Sequence, residues 1–220
     1  MNIIRQSLFM AVLVTLASLL FSGLAFGEQY YFAQGLFFQS VIKSEAQKDN
    51  IFDDELAKRD MSTSTVLFED QPTRRYGANV GKGFRDGPLG VEISMYADPA
   101  AESVFKHPAF GESHIRTDTI GVIFSGTVTW GIVTLKGGAH ISFVEADVHN
   151  WVLDEHGQQA GEEHETFHDL SAGAALGAGV NVYEKGTKAI HVGAVYLKDI
   201  GDVDKIGTND MLGLGVGFVY

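Results

Sequence analysis

Residues 164–168, His-Glu-Thr-Phe-His, match the H-E-x-x-H pattern of zinc proteases. That pattern binds zinc when a helix places both imidazoles on one face, with the glutamate beside them as the base. Here Gly157 and Gly161 precede the segment and a Gly/Ala-rich stretch follows it, which favours an extended chain. In a strand, His164 and His168 share a face but lie roughly 13 Å apart, too far to share one zinc ion. They are candidates for metal binding, but the pattern predicts no zinc-protease centre and no cofactor.

A second set of residues could activate a serine nucleophile. His140 and Ser142 are two residues apart, and Asp154 and Glu155 follow them in the chain. A histidine held by a carboxylate can take the proton of a serine hydroxyl, which makes the oxygen nucleophilic. In an extended chain His140 and Ser142 lie on one face. They are the candidate catalytic residues of this sequence.

The C-terminal residues show most clearly which element carries these groups. One set of alternating positions is bulky and apolar, and the intervening set is nearly all glycine. The apolar set consists of Leu212, Leu214, Val216, Phe218 and Tyr220. Alternation with period two predicts a β-strand. A half-buried strand of a soluble protein would usually place polar side chains opposite its apolar ones.

The same alternation recurs along the chain and predicts eight strands. They cover residues 30–40, 74–84, 89–96, 115–128, 132–144, 167–183, 190–196 and 211–220. Long polar connectors at 41–72, 97–115, 145–166 and 198–209 alternate with short turns at 85–88, 129–131 and 184–188. This order predicts an all-β fold, an eight-stranded antiparallel up-and-down transmembrane β-barrel with short periplasmic turns and long extracellular loops.

A soluble lipocalin-like cup is the alternative fold, with eight strands and an apolar interior. It would turn the apolar faces inward and would normally carry a Gly-x-Trp motif near the start of the first strand. Residues 30–40 contain no such motif.

With the apolar faces outward, the small and polar residues lie inside. His140 and Ser142 then point into the lumen, where hydrogen bonding is their expected role. Glu92 and Lys136 also fall inside, and we expect them to form an ionic network because unpaired buried charges are costly.

Three residues do not fit the assignment of apolar side chains to the outer face and of small or polar side chains to the inner face. Gln34 falls on the lipid face of the first strand unless that strand slips or bulges, and Ile123 falls inside the fourth strand. Lys82 faces out near a turn, where its long side chain can reach the interface.

Aromatic residues cluster at the short-turn end and predict an interfacial girdle there. The girdle residues are Tyr30, Phe84, Trp130, Tyr183 and Tyr220.

The N-terminus has the pattern of an export signal. Arg5 precedes an apolar stretch at 8–21, and Ala25 and Gly27 supply the small residues before a cleavage site. We expect a signal peptide at 1–27 and one barrel domain at 28–220, with Glu28 as the first mature residue. Cleavage after Ala25 and an uncleaved membrane anchor are the alternatives.

The composition limits the classes of partner and chemistry. The chain has 220 residues, no cysteine, and 16 basic against 28 acidic residues, which gives a net charge of −12. Disulfide and thiol chemistry are therefore excluded. A basic surface for binding nucleic acid is also not expected.

Residues 196–204, Tyr-Leu-Lys-Asp-Ile-Gly-Asp-Val-Asp, and the final strand at 212–220 resemble the last loop and closing strand of OmpA-like small outer-membrane barrels. The resemblance implies an outer-membrane location and assembly by the barrel-assembly machinery. That machinery would read the terminal aromatic and its alternating apolar residues, Leu214, Val216, Phe218 and Tyr220. Because the chain ends at this strand, we expect no peptidoglycan-binding domain after the barrel.

These features together predict a structural outer-membrane barrel that serves envelope integrity or surface contacts. Its expected partners are outer-membrane lipid and an extracellular partner bound through acidic loops. The first alternative is a narrow conduit for small or hydrophobic molecules. The second is a lipid A-modifying enzyme that uses His140 and Ser142, as lipid A deacylases of similar size use a His/Ser/acid set.

Overall fold

The computed structural model of the chain describes residues 28–42, 67–69, 74–107, 111–153, 159–186, 188–200 and 209–220. The predicted signal peptide at 1–27 and most of the connector at 41–72 lie outside these residues. The strands are β1 (Glu28–Ile42), β2 (Leu67–Glu69), β3 (Arg74–Asp86), β4 (Leu89–His107), β5 (Gly111–Trp130), β6 (Val133–Leu153), β7 (Gln159–Lys185), β8 (Lys188–Asp199) and β9 (Asn209–Val219). Among the described residues, no helix is long and apolar enough to cross a membrane.

Eight of the strands close into an antiparallel barrel, so the predicted fold class is confirmed. The hydrogen-bonded order runs β4-β3-β1-β9-β8-β7-β6-β5, and β5 also pairs with β4. The short strand β2 lies outside this ring and pairs with the far end of β4. Within this ring each of the eight strands has two paired neighbours, which avoids the sheet edge that a strand in lipid could not satisfy.

Three tight turns join neighbouring strands at one end of the barrel. Each contains a glycine with a φ angle between 57° and 63°, in the left-handed region that other residues rarely adopt; these are Gly87, Gly131 and Gly186. The two ends of the barrel sequence meet at the same level, where Tyr31 and Tyr220 exchange backbone hydrogen bonds of 2.7 and 2.9 Å. This is the short-turn end that the sequence predicts.

Two of the predicted long loops are strands instead. β4 and β5 remain paired as far as His107 and Gly111, and β6 and β7 as far as Leu153 and Gln159. The sequence keeps its period of two here, but the apolar side chains now point inward and are buried; in β6 these are Val144, Ala146 and Val148. Charged residues occupy the outward positions, and for this reason the sequence analysis predicts these segments as polar loops.

The change of faces occurs at one level across three strands. Cross-strand partners lie side by side and form rows. The last apolar row on the outer wall is Ile120, Phe143 and Leu170, and the next row is Asp118, Glu145 and His168. Above this level the outer face is polar and the inner face of β6 is apolar, the reverse of the order below it.

The assignment of faces in the first strand was wrong. Even-numbered positions of β1 point inward, so Phe32, Leu36 and Phe38 are buried in the lumen. Gln34 is therefore also inside, where its side-chain oxygen lies 3.5 Å from the amide nitrogen of Asn79. The pairing of β1 is continuous with both neighbours, so no bulge is needed. Apolar residues occupy both faces of β1, and alternation alone could not distinguish them.

Large inward side chains lie over glycines of neighbouring strands. A Cβ atom at Gly121 would lie 2.3 Å from the ring of Tyr96, and one at Gly77 would lie 2.5 Å from the ring of Phe38. The same relation holds for Tyr30 over Gly83, Phe32 over Gly81 and Leu36 over Gly215. An eight-stranded barrel is just wide enough for side chains to fill. The glycines therefore make room for a few bulky residues in the lumen.

We expect Gly121→Ala to lower the free energy of unfolding by about 1–3 kcal/mol, because the new methyl group would overpack the Tyr96 ring. Gly126→Ala, on the outer face of the same strand, is the matched control, since the nearest atom to its Cβ is 3.9 Å away. Chemical unfolding in detergent micelles measures both. Equal stabilities of the two variants would contradict this packing.

Candidate functional site in the barrel lumen

An ion pair lies in the lumen near the short-turn end. The Lys136 ammonium, on β6, lies 2.6 Å from Oε2 of Glu92, on β4. The Glu92 side chain is 6% exposed and that of Lys136 is 20% exposed. Glu92 and Lys136, which the sequence analysis expects to point inward and to form an ionic network, are therefore in contact in the structure.

The rest of the Glu92 carboxylate is also occupied. The Tyr30 hydroxyl donates a hydrogen bond of 2.6 Å to Oε1 of Glu92. The Lys136 ammonium lies 4.8 Å from the centroid of the Phe32 ring, within the range of a cation–π contact. The cluster therefore links β1, β4 and β6 across the lumen, with a partner for each carboxylate oxygen.

A polar cavity of about 230 Å³ lies between this cluster and the short turns. Arg85 and Glu28 form an ion pair of 3.0 Å in its wall, and both side chains are substantially exposed. Nδ1 of His191 lies 2.9 Å from the side-chain oxygen of Asn181. The cavity is large enough for water and small polar solutes, and its lining includes the turn residues Gly131 and Gly186.

Above the ion pair, the lumen is filled. A second cavity, of about 30 Å³, has room for about one water molecule. Beyond it is an apolar cluster of buried side chains, which we call the plug. The plug consists of Leu36, Phe38, Tyr96, Ile123, Ala175, Leu197 and Met211. It lies between the polar cavity and the far end of the barrel.

The candidate catalytic residues lie beside the plug. His140 and Ser142 both point inward and are 1% and 2% exposed. Nε2 of His140 lies 3.5 Å from Oδ1 of Asp199 and 3.4 Å from the carbonyl oxygen of Lys198. Asp154 and Glu155, the acids expected from the sequence, lie outside the described residues.

This arrangement does not form an activated serine. The second ring nitrogen of His140, Nδ1, has no hydrogen-bond partner among the described residues, so Ser142 does not donate to it. A nucleophilic serine requires its base within hydrogen-bond reach. Instead, His140 contacts Asp199 and packs edge-on against the ring of Tyr96, with centroids 6.4 Å apart. The group is suited to holding β4, β6 and β8 together inside the barrel.

The H-E-x-x-H segment is extended within β7, and its two histidines are on the outer face. Each of its histidines faces a different residue of β6. His164 is paired with His149, and His168 with Glu145, whose carboxylate lies 3.5 Å from Nδ1 of His168. The structure therefore does not bring His164 and His168 together.

The aromatic residues of the predicted girdle divide between the two sides of the wall. Trp130, Tyr183 and Tyr220 are more than half exposed on the outer wall. Phe84 is buried on that wall beneath the Lys82 ammonium, 4.8 Å from the ring centroid. Tyr30 is a correction, because its side chain points into the lumen.

Tyr31 takes the place of Tyr30 on the outside. Its ring stacks on that of Tyr220, with centroids 6.0 Å apart. Tyr31 is outside and Tyr30 is inside because odd-numbered positions of β1 point outward and even-numbered positions point inward.

Sequence reasoning missed the inward residues of β1, among them Tyr30, and Asp199 of β8. Tyr30 could not be found, because adjacent apolar residues in β1 hide the inward face. Asp199 could have been found, since it continues the inward alternation of His191, Val195 and Leu197 along β8.

No family model matches the sequence, and no curated protein matches it. Among solved structures, the chain is similar to neisserial surface protein A, with 13% identity over 87% of this chain and 95% of that one, at a TM-score of 0.45. The chain is also similar to Ail, the attachment invasion locus protein of Yersinia pestis. The identity is 14% over 88% of this chain and 100% of that one, at a TM-score of 0.45. A third similar structure is the outer membrane protein OprG of Pseudomonas aeruginosa. Its identity is 8% over 89% of this chain and 97% of that one, at a TM-score of 0.47. Scores at this level transfer no function to this chain.

We expect Lys136→Ala to destabilise the barrel by about 3–5 kcal/mol, because it leaves the Glu92 carboxylate buried without its cation. The double variant Lys136→Met with Glu92→Gln removes both charges and should recover much of that loss. The exposed pair supplies a control, since Arg85→Gln should cost about 1 kcal/mol or less. Unfolding in micelles tests all three, and a Lys136→Ala barrel as stable as the wild type would count against the network.

Proposed function

We propose that the chain is a structural outer-membrane barrel with a closed lumen, which holds acidic β-hairpins outside the membrane. The observation that carries this proposal is the plug, because its buried side chains fill the lumen between the two ends. A conduit would need a continuous path for its solute, and the polar cavity ends at the plug.

The outer wall supports a membrane location. Outward apolar positions of β6 run from Val133 to Phe143. They span roughly 33 Å along the strand, or roughly 25 Å along the membrane normal at the usual tilt, which is the height of the apolar band in such barrels. Lys82, an outward lysine of β3 near the short turns, lies 5.7 Å from the ring centroid of Tyr31 in the aromatic girdle. There its charge can reach the headgroups.

The hairpins above the apolar band support a role in surface contacts. Their outward side chains include the acids Asp118, Glu145, Asp147 and Glu162. Arg116 forms one ion pair with Asp118, at 3.6 Å. The face is therefore suited to a partner that carries positive charge, and it would repel a second acidic surface.

Export and assembly complete the proposal. Residues 1–27 act as a cleaved signal, and Glu28 is the first mature residue. The barrel-assembly machinery reads β9, where Leu214, Val216, Phe218 and Tyr220 all lie more than half exposed on the outer wall. The short turns then face the periplasm and the hairpins face the exterior.

Reconstitution of the mature protein in liposomes tests the proposal. Unboiled protein should migrate differently from boiled protein in a gel, because a closed barrel resists detergent until it is heated. Liposomes that contain it should release a trapped small dye no faster than empty ones. Steady release by the wild type would refute the closed lumen and favour the conduit.

Removal of the plug supplies a positive control for the same assay. Phe38→Ala combined with Met211→Ala should raise the rate of dye release several-fold, because both side chains are buried in the lumen. The matched variant Leu212→Ala with Leu214→Ala changes the outer wall and should leave release unchanged. Equal release from both variants would show that the plug does not limit passage.

A further inference from the structure

Three histidines lie in one row across three neighbouring strands. His114 of β5 is paired with His149 of β6, and His149 is paired with His164 of β7. Directly opposed residues of antiparallel strands point to the same face, with Cβ atoms about 4.5–5.5 Å apart. All three are on the outer face, three rows beyond the last apolar row, or roughly 20 Å along the strands. The row is therefore exposed to water above the proposed membrane.

The spacing of the imidazoles suits a shared metal ion. The rings of His149 and His164 have centroids 5.9 Å apart and lie at 81° to each other. With Zn–N bonds of about 2.0–2.1 Å in tetrahedral geometry, two imidazoles on one zinc ion have centroids roughly 5–6 Å apart. The separation of the two rings is therefore compatible with both imidazoles binding one ion after their side chains turn.

His114 extends the set from the other side of His149. Its backbone lies about 10 Å from that of His164, two strand spacings away. Imidazoles on the two outer strands can therefore meet above the central one, since each side chain extends several ångströms from the sheet. The arrangement offers three nitrogen donors from three strands.

A carboxylate is already at the row. Oε1 of Glu162 contacts Nε2 of His149, and Glu162 is on the same face of β7 as His164. The Glu162 side chain is 54% exposed and His149 is 33% exposed, so both can turn. As they stand, no three His, Asp or Glu side chains in the described part of the chain surround one point. Metal binding would turn Glu162 from a hydrogen-bond partner of His149 into a fourth ligand.

We propose that His114, His149, His164 and Glu162 form a binding site for a divalent transition-metal ion on the outer face of the hairpins. Imidazole favours Zn²⁺, Cu²⁺ and Ni²⁺, whereas Mg²⁺ and Ca²⁺ favour oxygen ligands. The acids around the row raise the local concentration of cations. A bound ion would tie β5, β6 and β7 together beyond the membrane. The site does not involve lumen residues, so it is independent of the proposal that the lumen is closed.

Calorimetric titration with Zn²⁺ tests the site, using tag-free mature protein folded in zwitterionic detergent. We expect one ion per barrel in the wild type and no measurable binding of Mg²⁺. His149→Ala and His164→Ala should each weaken Zn²⁺ binding at least tenfold, because each removes one of the two closest imidazoles. His114→Ala and Glu162→Gln should weaken it by a smaller factor.

His168→Ala is the matched control, because His168 is on the same face of β7 but opposite Glu145. It should bind Zn²⁺ as the wild type does. Unboiled gel migration shows that each variant is folded, and Zn²⁺ should raise the unfolding temperature of the wild type but not of His149→Ala. Absence of binding in the wild type, unchanged binding in His149→Ala, or equal loss in His168→Ala would overturn the proposal.

Discussion

The narrow lumen of an eight-stranded barrel is the constraint on which the rest of this structure depends. Closure gives each strand of the ring two neighbours but leaves an interior that is just wide enough for side chains to fill. The sequence meets this limit by placing bulky inward residues opposite glycines, as Tyr96 lies over Gly121 and Phe38 over Gly77. The glycines opposite these bulky side chains are thus a packing requirement of the closed fold.

The same constraint determines how charge is held inside. In so narrow a space a carboxylate has little water around it, and Glu92 instead contacts Lys136 and Tyr30. Breaking one of these contacts leaves the remaining charge in a poor solvent, whereas removing both partners need not be harmful. His140 and Asp199 repeat this arrangement beside the plug. Polar groups in the lumen therefore join strands that are not neighbours in the sheet.

The strands and their order were predictable because lipid imposes a strict alternation of side chains. Alternation also selected Glu92 and Lys136. Alternation failed to predict which side chains point inward in the regions where lipid does not impose it. In β1, Tyr30, Tyr31 and Phe32 are all aromatic, so only pairing with β3 and β9 determines which of them point inward. In the hairpins, water replaces lipid outside, and the apolar residues Val144, Ala146 and Val148 move to the inner face. The row of histidines depends on register between strands, which no single segment of sequence contains.

The unbroken pairing of β5, β6 and β7 past the apolar band has a consequence for recognition. Each strand gives only every second residue to the outer face, so a surface patch there is assembled from three separate stretches of sequence. An antibody or a phage receptor-binding protein that binds this face would recognise a conformational epitope. A linear peptide copied from one strand would present half of its side chains wrongly and lack its neighbours, so such peptides would be poor mimics of the exposed surface.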